Sequence, residues 1–138
     1  MELNTALPAS LAEWATMAVA LIALAGGLVT LFDPHRIMAW TGLSLTPGRM
    51  FGLSELRGPL GGFYVGVALY VILSTPRPYL ILTLGFGFAC FGRILAFVLD
   101  GVRSRENVLS LIGAAILSAI PALYVTGVLG RLEAMVFS

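Results

Sequence analysis

Four charged residues stand where charge is costly. Glu55 and Arg57 open an apolar segment, Arg93 lies inside another, and Asp100 closes it. A carboxylate beside a guanidinium makes a forked, charge-assisted pair. The same two groups, withdrawn from water next to an apolar ligand, are equipped for proton exchange. Glu55 and Arg57 belong to the stretch Glu55-Leu56-Arg57-Gly58-Pro59-Leu60-Gly61-Gly62, which adds a proline and three glycines to the two charges. Arg93 and Asp100 are seven residues apart, two helical turns, so they fall on nearly the same face of a helix.

The elements that must position these groups are membrane-spanning helices. The chain has 138 residues, 59% of them hydrophobic and 11% charged, with a mean hydropathy of +0.98. Soluble domains carry about 25% charged residues, so the composition points to the bilayer. Four spans of about 20 residues would use nearly all of the chain. A net charge of +1 gives no electrostatic basis for nucleic-acid binding. All eight basic residues are arginine, which either a coding bias or a need for forked hydrogen bonding would produce. Cys90 is the single cysteine; it has no disulfide partner and suits a small packing position better than a nucleophile. His35 has no His or Cys at ligand spacing, so no metal site is expected.

The periodicity and breakers predict an all-α integral membrane four-helix bundle with spans at about 11–32, 49–73, 79–100 and 107–129. A polar tail, 1–10, precedes the first. Ser10-Leu11-Ala12-Glu13 reads as a capping box at its start, and the absence of a basic region before it argues for an uncleaved span rather than a signal peptide. Asp33-Pro34 ends that span and starts a short interfacial helix that stops at Gly42. Pro59 interrupts the second span, predicting a kink near Gly58-Pro59 that frees the Glu55 carbonyl. Residues 74–78 form a tight connection to the third span. Asn107, Ser110, Ala114, Ser118, Pro121 and Val125 mark the inward face of the fourth, and 130–138 form a short amphipathic end.

With the second and third spans as antiparallel neighbours, Glu55 is level with Phe97 and Arg57 with about Leu95. Arg93 then lies roughly 6 Å from the level of Glu55, within reach of a snorkelling side chain. Gly58, Gly62 and Gly66, spaced by four, form a small-residue strip for close helix packing, with Gly92 beside Arg93 on the facing helix. The four charges sum to zero, which favours mutual pairing. Arg36, Arg49, Arg103 and Arg105, with Arg57 close by, lie on the connections after the first and third spans. Only Arg77 and Arg131 lie on the other side. The positive-inside rule places both ends of the chain outside.

The paired motif, Glu55-x-Arg57-Gly58-x-x-Gly61-Gly62 with Gly92-Arg93 and then Asp100-Gly101, resembles a family of small bacterial four-helix membrane proteins described only as a domain of unknown function. The resemblance covers most of the chain; Pro59 departs from the pattern. It implies a fold and a bacterial inner-membrane location, and no activity, cofactor or substrate. No nucleophile–base pair, metal spacing or phosphate loop is recognisable, so no catalytic residue and no cofactor are assigned. The expectation is a structural or accessory protein that packs in a membrane complex or homo-oligomer, with membrane lipid around it. The alternative is a site for a lipid-, quinone- or sterol-like ligand, or acid/base chemistry, at Glu55, Arg57, Arg93 and Asp100. A transporter fits less well, because the charges lie near one face rather than at the midplane.

Overall fold

A computed structural model describes residues 6–74 and 76–138. The first five residues of the predicted polar tail, and Thr75 of the 74–78 connection, lie outside the described residues. These are all-α: α1 (Leu11–Phe32), α2 (Pro34–Thr41), α3 (Phe51–Leu73), α4 (Leu80–Leu99), α5 (Arg105–Val125) and α6 (Val128–Phe137). Helices α1, α3, α4 and α5 are each long and apolar enough to cross a membrane. The chain divides into two units, one containing 20–74 and the other 6–19 with 76–138. The first turns of α1 belong to the latter and its remaining turns to the former.

In the unit containing 20–74, α1 ends where Asp33 takes over as N-cap of α2. Its carboxylate accepts from the Arg36 amide at 3.3 Å and pairs with the Arg36 guanidinium at 3.1 Å. Pro34 sits at the first helical position, where a missing N–H costs nothing, and Gly42 stops the helix at φ 74°. The α1 terminus and α3 approach backbone to backbone. A Cβ on Gly61 would lie 2.7 Å from the Leu31 nitrogen, and one on Gly27 would lie 2.9 Å from the Val65 nitrogen. Gly58 and Gly66 face open space, as does Gly92 in the other unit, and Gly62 would meet only the Arg57 carbonyl. The glycines singled out by four-residue spacing are thus not those that make this contact.

The reason is local. From Leu56 to Gly62, α3 is a π-helix, bonded i→i−5, as where the Phe63 amide reaches the Gly58 carbonyl. A π turn holds extra residue length, so a strip counted in fours does not stay on one face through it. Pro59 sits inside this segment. The disturbance expected near Gly58-Pro59 thus takes the form of a π turn in a helix that continues to Leu73.

In the other unit, α4 and α5 form a hairpin. The Ser118 hydroxyl donates to the Thr83 carbonyl (2.8 Å), the Cys90 thiol to Leu111 (3.6 Å), and the Asn107 amide to Arg93 (3.4 Å) and Val102 (3.0 Å). These pairs run in opposite chain directions, as antiparallel helices require. Asn107, Ala114 and Pro121 are buried and Ser118 half-buried, while Ser110 and Val125 are exposed, so the expected inward stripe is met at its middle and not throughout. Ser104 caps α5 by accepting from the Asn107 amide at 3.2 Å. Helix α5 ends at Val125, ahead of the expected boundary, because Gly127 adopts φ 80° and starts α6.

Candidate functional site

Glu55 and Arg57 lie in the unit containing 20–74, at the entry to the π segment of α3; Arg93 and Asp100 lie in the other, on α4 and at its C-cap. All four are exposed. Arg57 has a defined role: Nη1 donates to the carbonyls of Leu31 (2.5 Å) and Phe32 (3.4 Å). These are last-turn acceptors of α1, which lack amide partners and carry the negative end of the helix dipole. The partners of Arg57 within this unit are thus backbone carbonyls. Among the described residues of its unit the Glu55 carboxylate has no hydrogen bond or ion pair, and neither has the Arg93 guanidinium among those of its own. Asp100 adopts φ −99°, ψ −3°, followed by Gly101 at φ 67°, so this pair terminates α4 as expected of an Asp-Gly stop.

Beside Glu55 is a groove of about 390 Å³, walled by Met38 of α2, Leu43 and Leu45 of the following loop, and Leu56, Pro59 and Leu60 of the π segment. Glu55 is the one charged residue in its lining. A second groove, about 420 Å³, shares Ser44, Leu45 and Gly52 with the first and carries Arg49 and Phe51. Leu56, Pro59 and Leu60, at i, i+3 and i+4, present one face of the π segment to the first groove. The sequence points to Glu55 but shows 46–48 only as a turn, so neither the groove nor the placement of Arg49 is visible in it.

A second polar cluster, in the unit containing 6–19 and 76–138, escapes the sequence reading. Arg77 Nη1 pairs with Glu13 Oε1 at 2.7 Å, and both side chains are largely buried, at 6% and 16% exposure. Arg77 Nη2 also donates to the Ala6 carbonyl. The other oxygen of Glu13 accepts from the Ala9 amide at 2.9 Å, while Ser10 Oγ accepts from the Glu13 amide at 3.1 Å. The capping box thus forms, with Glu13 reaching one residue further back than the motif requires. Glu133 of α6 completes the helix start by accepting from the amides of Leu11 (2.9 Å) and Ala12 (3.1 Å). A carboxylate at the positive end of α1 is electrostatically favoured. Tyr79, buried just before α4, packs edge-on against Tyr124 at 5.3 Å. Burial pushes its phenol up to about 12, with Arg77 opposing and Glu13 reinforcing the shift. The signal in the sequence is charge balance: Glu13 and Glu133 match Arg77 and Arg131 on the same predicted side of the membrane.

The chain belongs to the family described as a domain of unknown function (DUF4345), which it matches over residues 11–114. No curated protein and no solved structure matches it.

Proposed function

We propose that this family member is a structural or accessory component of the bacterial inner membrane, packed in a larger complex or in an oligomer of itself, with Glu55, Arg57, Arg93 and Asp100 near the cytoplasmic leaflet. The observation that carries this reading is Arg93. It lies well inside α4, six residues before Leu99, and its guanidinium is exposed and unpaired among the described residues of its own unit. An arginine at mid-span costs about 2.5–3.5 kcal/mol, less near an interface, and calls for an acidic partner. A carboxylate on a neighbouring chain would supply it. The arginine distribution favours the basic connections on the cytoplasmic side and both chain ends on the periplasmic side. Native mass spectrometry from mild detergent tests the reading. The wild type is expected as an oligomer or with a protein partner, and Arg93→Leu as a folded monomer; a monomeric wild type without protein partners would sink it.

A second reading has its own support in the groove beside Glu55, which has the volume and apolar lining of a small-molecule site. It would hold a lipid-, quinone- or sterol-like ligand with its polar end at the carboxylate. Leu60→Trp, which fills the groove, is expected to remove a co-purifying small molecule; retention of that molecule would count against this site.

A further inference from the structure

We propose that the two adjoining grooves form one headgroup site for an aminophospholipid, with the phosphate at Arg49 and the primary ammonium at Glu55. This rests on the second reading above and names its ligand. Both grooves are walled by the loop after α2 and the start of α3, and they share Ser44, Leu45 and Gly52. One carries a single cation and the other a single anion. Neither side chain makes a hydrogen bond or ion pair among the described residues of its unit, and both are exposed.

The surroundings are those of the membrane interface. Trp40, Met50 and Phe51 stand 69%, 64% and 72% exposed near the loop, placing large apolar side chains where headgroup and acyl chain meet. Leu56 and Leu60 continue the apolar wall along the π segment, in the direction an acyl chain would take.

The charges select the headgroup. Arg49 offers a planar fork of donors that matches a phosphate. Glu55 offers only acceptors and carries a negative charge, so a cationic donor makes the strongest bond to it. A primary ammonium supplies three N–H donors. A quaternary ammonium supplies none and is ordinarily held by aromatic faces, which the lining of the Glu55 groove lacks. A glycerol headgroup would satisfy Arg49 but offer Glu55 only neutral hydroxyl donors on a net anion, without the charge-assisted bond an ammonium makes.

The test uses the full-length protein in mild detergent, titrated with short-chain phosphatidylethanolamine, phosphatidylcholine and phosphatidylglycerol and read by native mass spectrometry. The ethanolamine lipid is expected to bind tightest. Glu55→Gln should erase its advantage over the choline lipid, while Arg49→Gln should weaken all three, each by roughly tenfold, as loss of a charge-assisted hydrogen bond implies. Glu55→Asp and Arg49→Lys should partly restore binding, and unchanged melting temperatures show that the variants fold. Equal binding of all three lipids, lost in Leu60→Trp, would overturn the headgroup assignment and leave the groove reading standing. Binding that Leu60→Trp does not affect would overturn both.

Discussion

Arg77 and Glu13 illustrate what a single residue pair can hold. They join the start of α1 to the connection before α4 within one unit, and both charges are largely withdrawn from water. Removing one partner of such a pair strands the other, which typically costs about 3–5 kcal/mol, whereas replacing both with apolar groups of similar size is often neutral. Arg77→Met is therefore expected to lower the melting temperature in detergent sharply, and Arg77→Met with Glu13→Leu to recover much of the loss. A double variant that loses as much as Arg77→Met and Glu13→Leu added together would show that the pair itself contributes nothing. Tyr79 beside them gives a pH signature. Its folded pKa, about 12, lies above the ordinary 10.0 because burial disfavours the phenolate. The stability it contributes is whole below pH 10 and falls as pH rises towards 12, since only the unfolded chain ionises in that window. Melting measured from about pH 9 to about 12 should fall more steeply for the wild type than for Tyr79→Phe; parallel curves would remove Tyr79 as the cause. These residues are half legible in the sequence. Ser10 and Glu13 announce a helix cap through their spacing, because capping is local. The roles of Arg77 and Glu133 are hidden, because Arg77 is 64 positions from Glu13, and Glu133 is 122 and 121 from the amides it caps.

At the scale of elements, the four spans are legible because hydrophobic length and breakers are written directly in the chain, and the boundaries mostly move by a residue or two. The π segment of α3 is not. A proline inside an apolar run signals disturbance, but kink and widened turn share that signal, and only backbone register separates them. The consequence is measurable. Gly61→Ala places a methyl 2.7–2.8 Å from the Leu31 backbone, where nothing can rotate away, and overpacking of that kind costs about 1–3 kcal/mol. Gly66→Ala meets open space and removes a flexible residue from a helix interior, a gain of about 0.5–1 kcal/mol. Thermal unfolding in detergent should therefore place Gly61→Ala below and Gly66→Ala at or above the wild type. A loss at Gly66 with none at Gly61 would count against the Gly61–Leu31 contact as a packing point and favour the four-residue strip.

For the whole molecule, the decisive asymmetry is where the arginines fall. Arg36, Arg49, Arg103 and Arg105 lie on the connections following α1 and α4, against Arg77 and Arg131 on the alternate side. Translocating a short basic loop is disfavoured, so such a bias favours one orientation even when net charge is small. Orientation in turn sets which leaflet meets the Glu55 groove. In a Cys90→Ala background, Thr46→Cys on the loop after α2 and Ser138→Cys at the chain end, each made singly, report the two sides. A membrane-impermeant maleimide is applied to intact cells with the outer membrane permeabilised. It is expected to label the Ser138→Cys variant and to leave the Thr46→Cys variant unmodified until the inner membrane is opened. Labelling of the Thr46→Cys variant alone would invert the protein, moving the groove to the outer leaflet. An aminophospholipid site would then have to draw on outer-leaflet lipid, so the orientation measured at these two positions also fixes which pool of lipid the groove can sample.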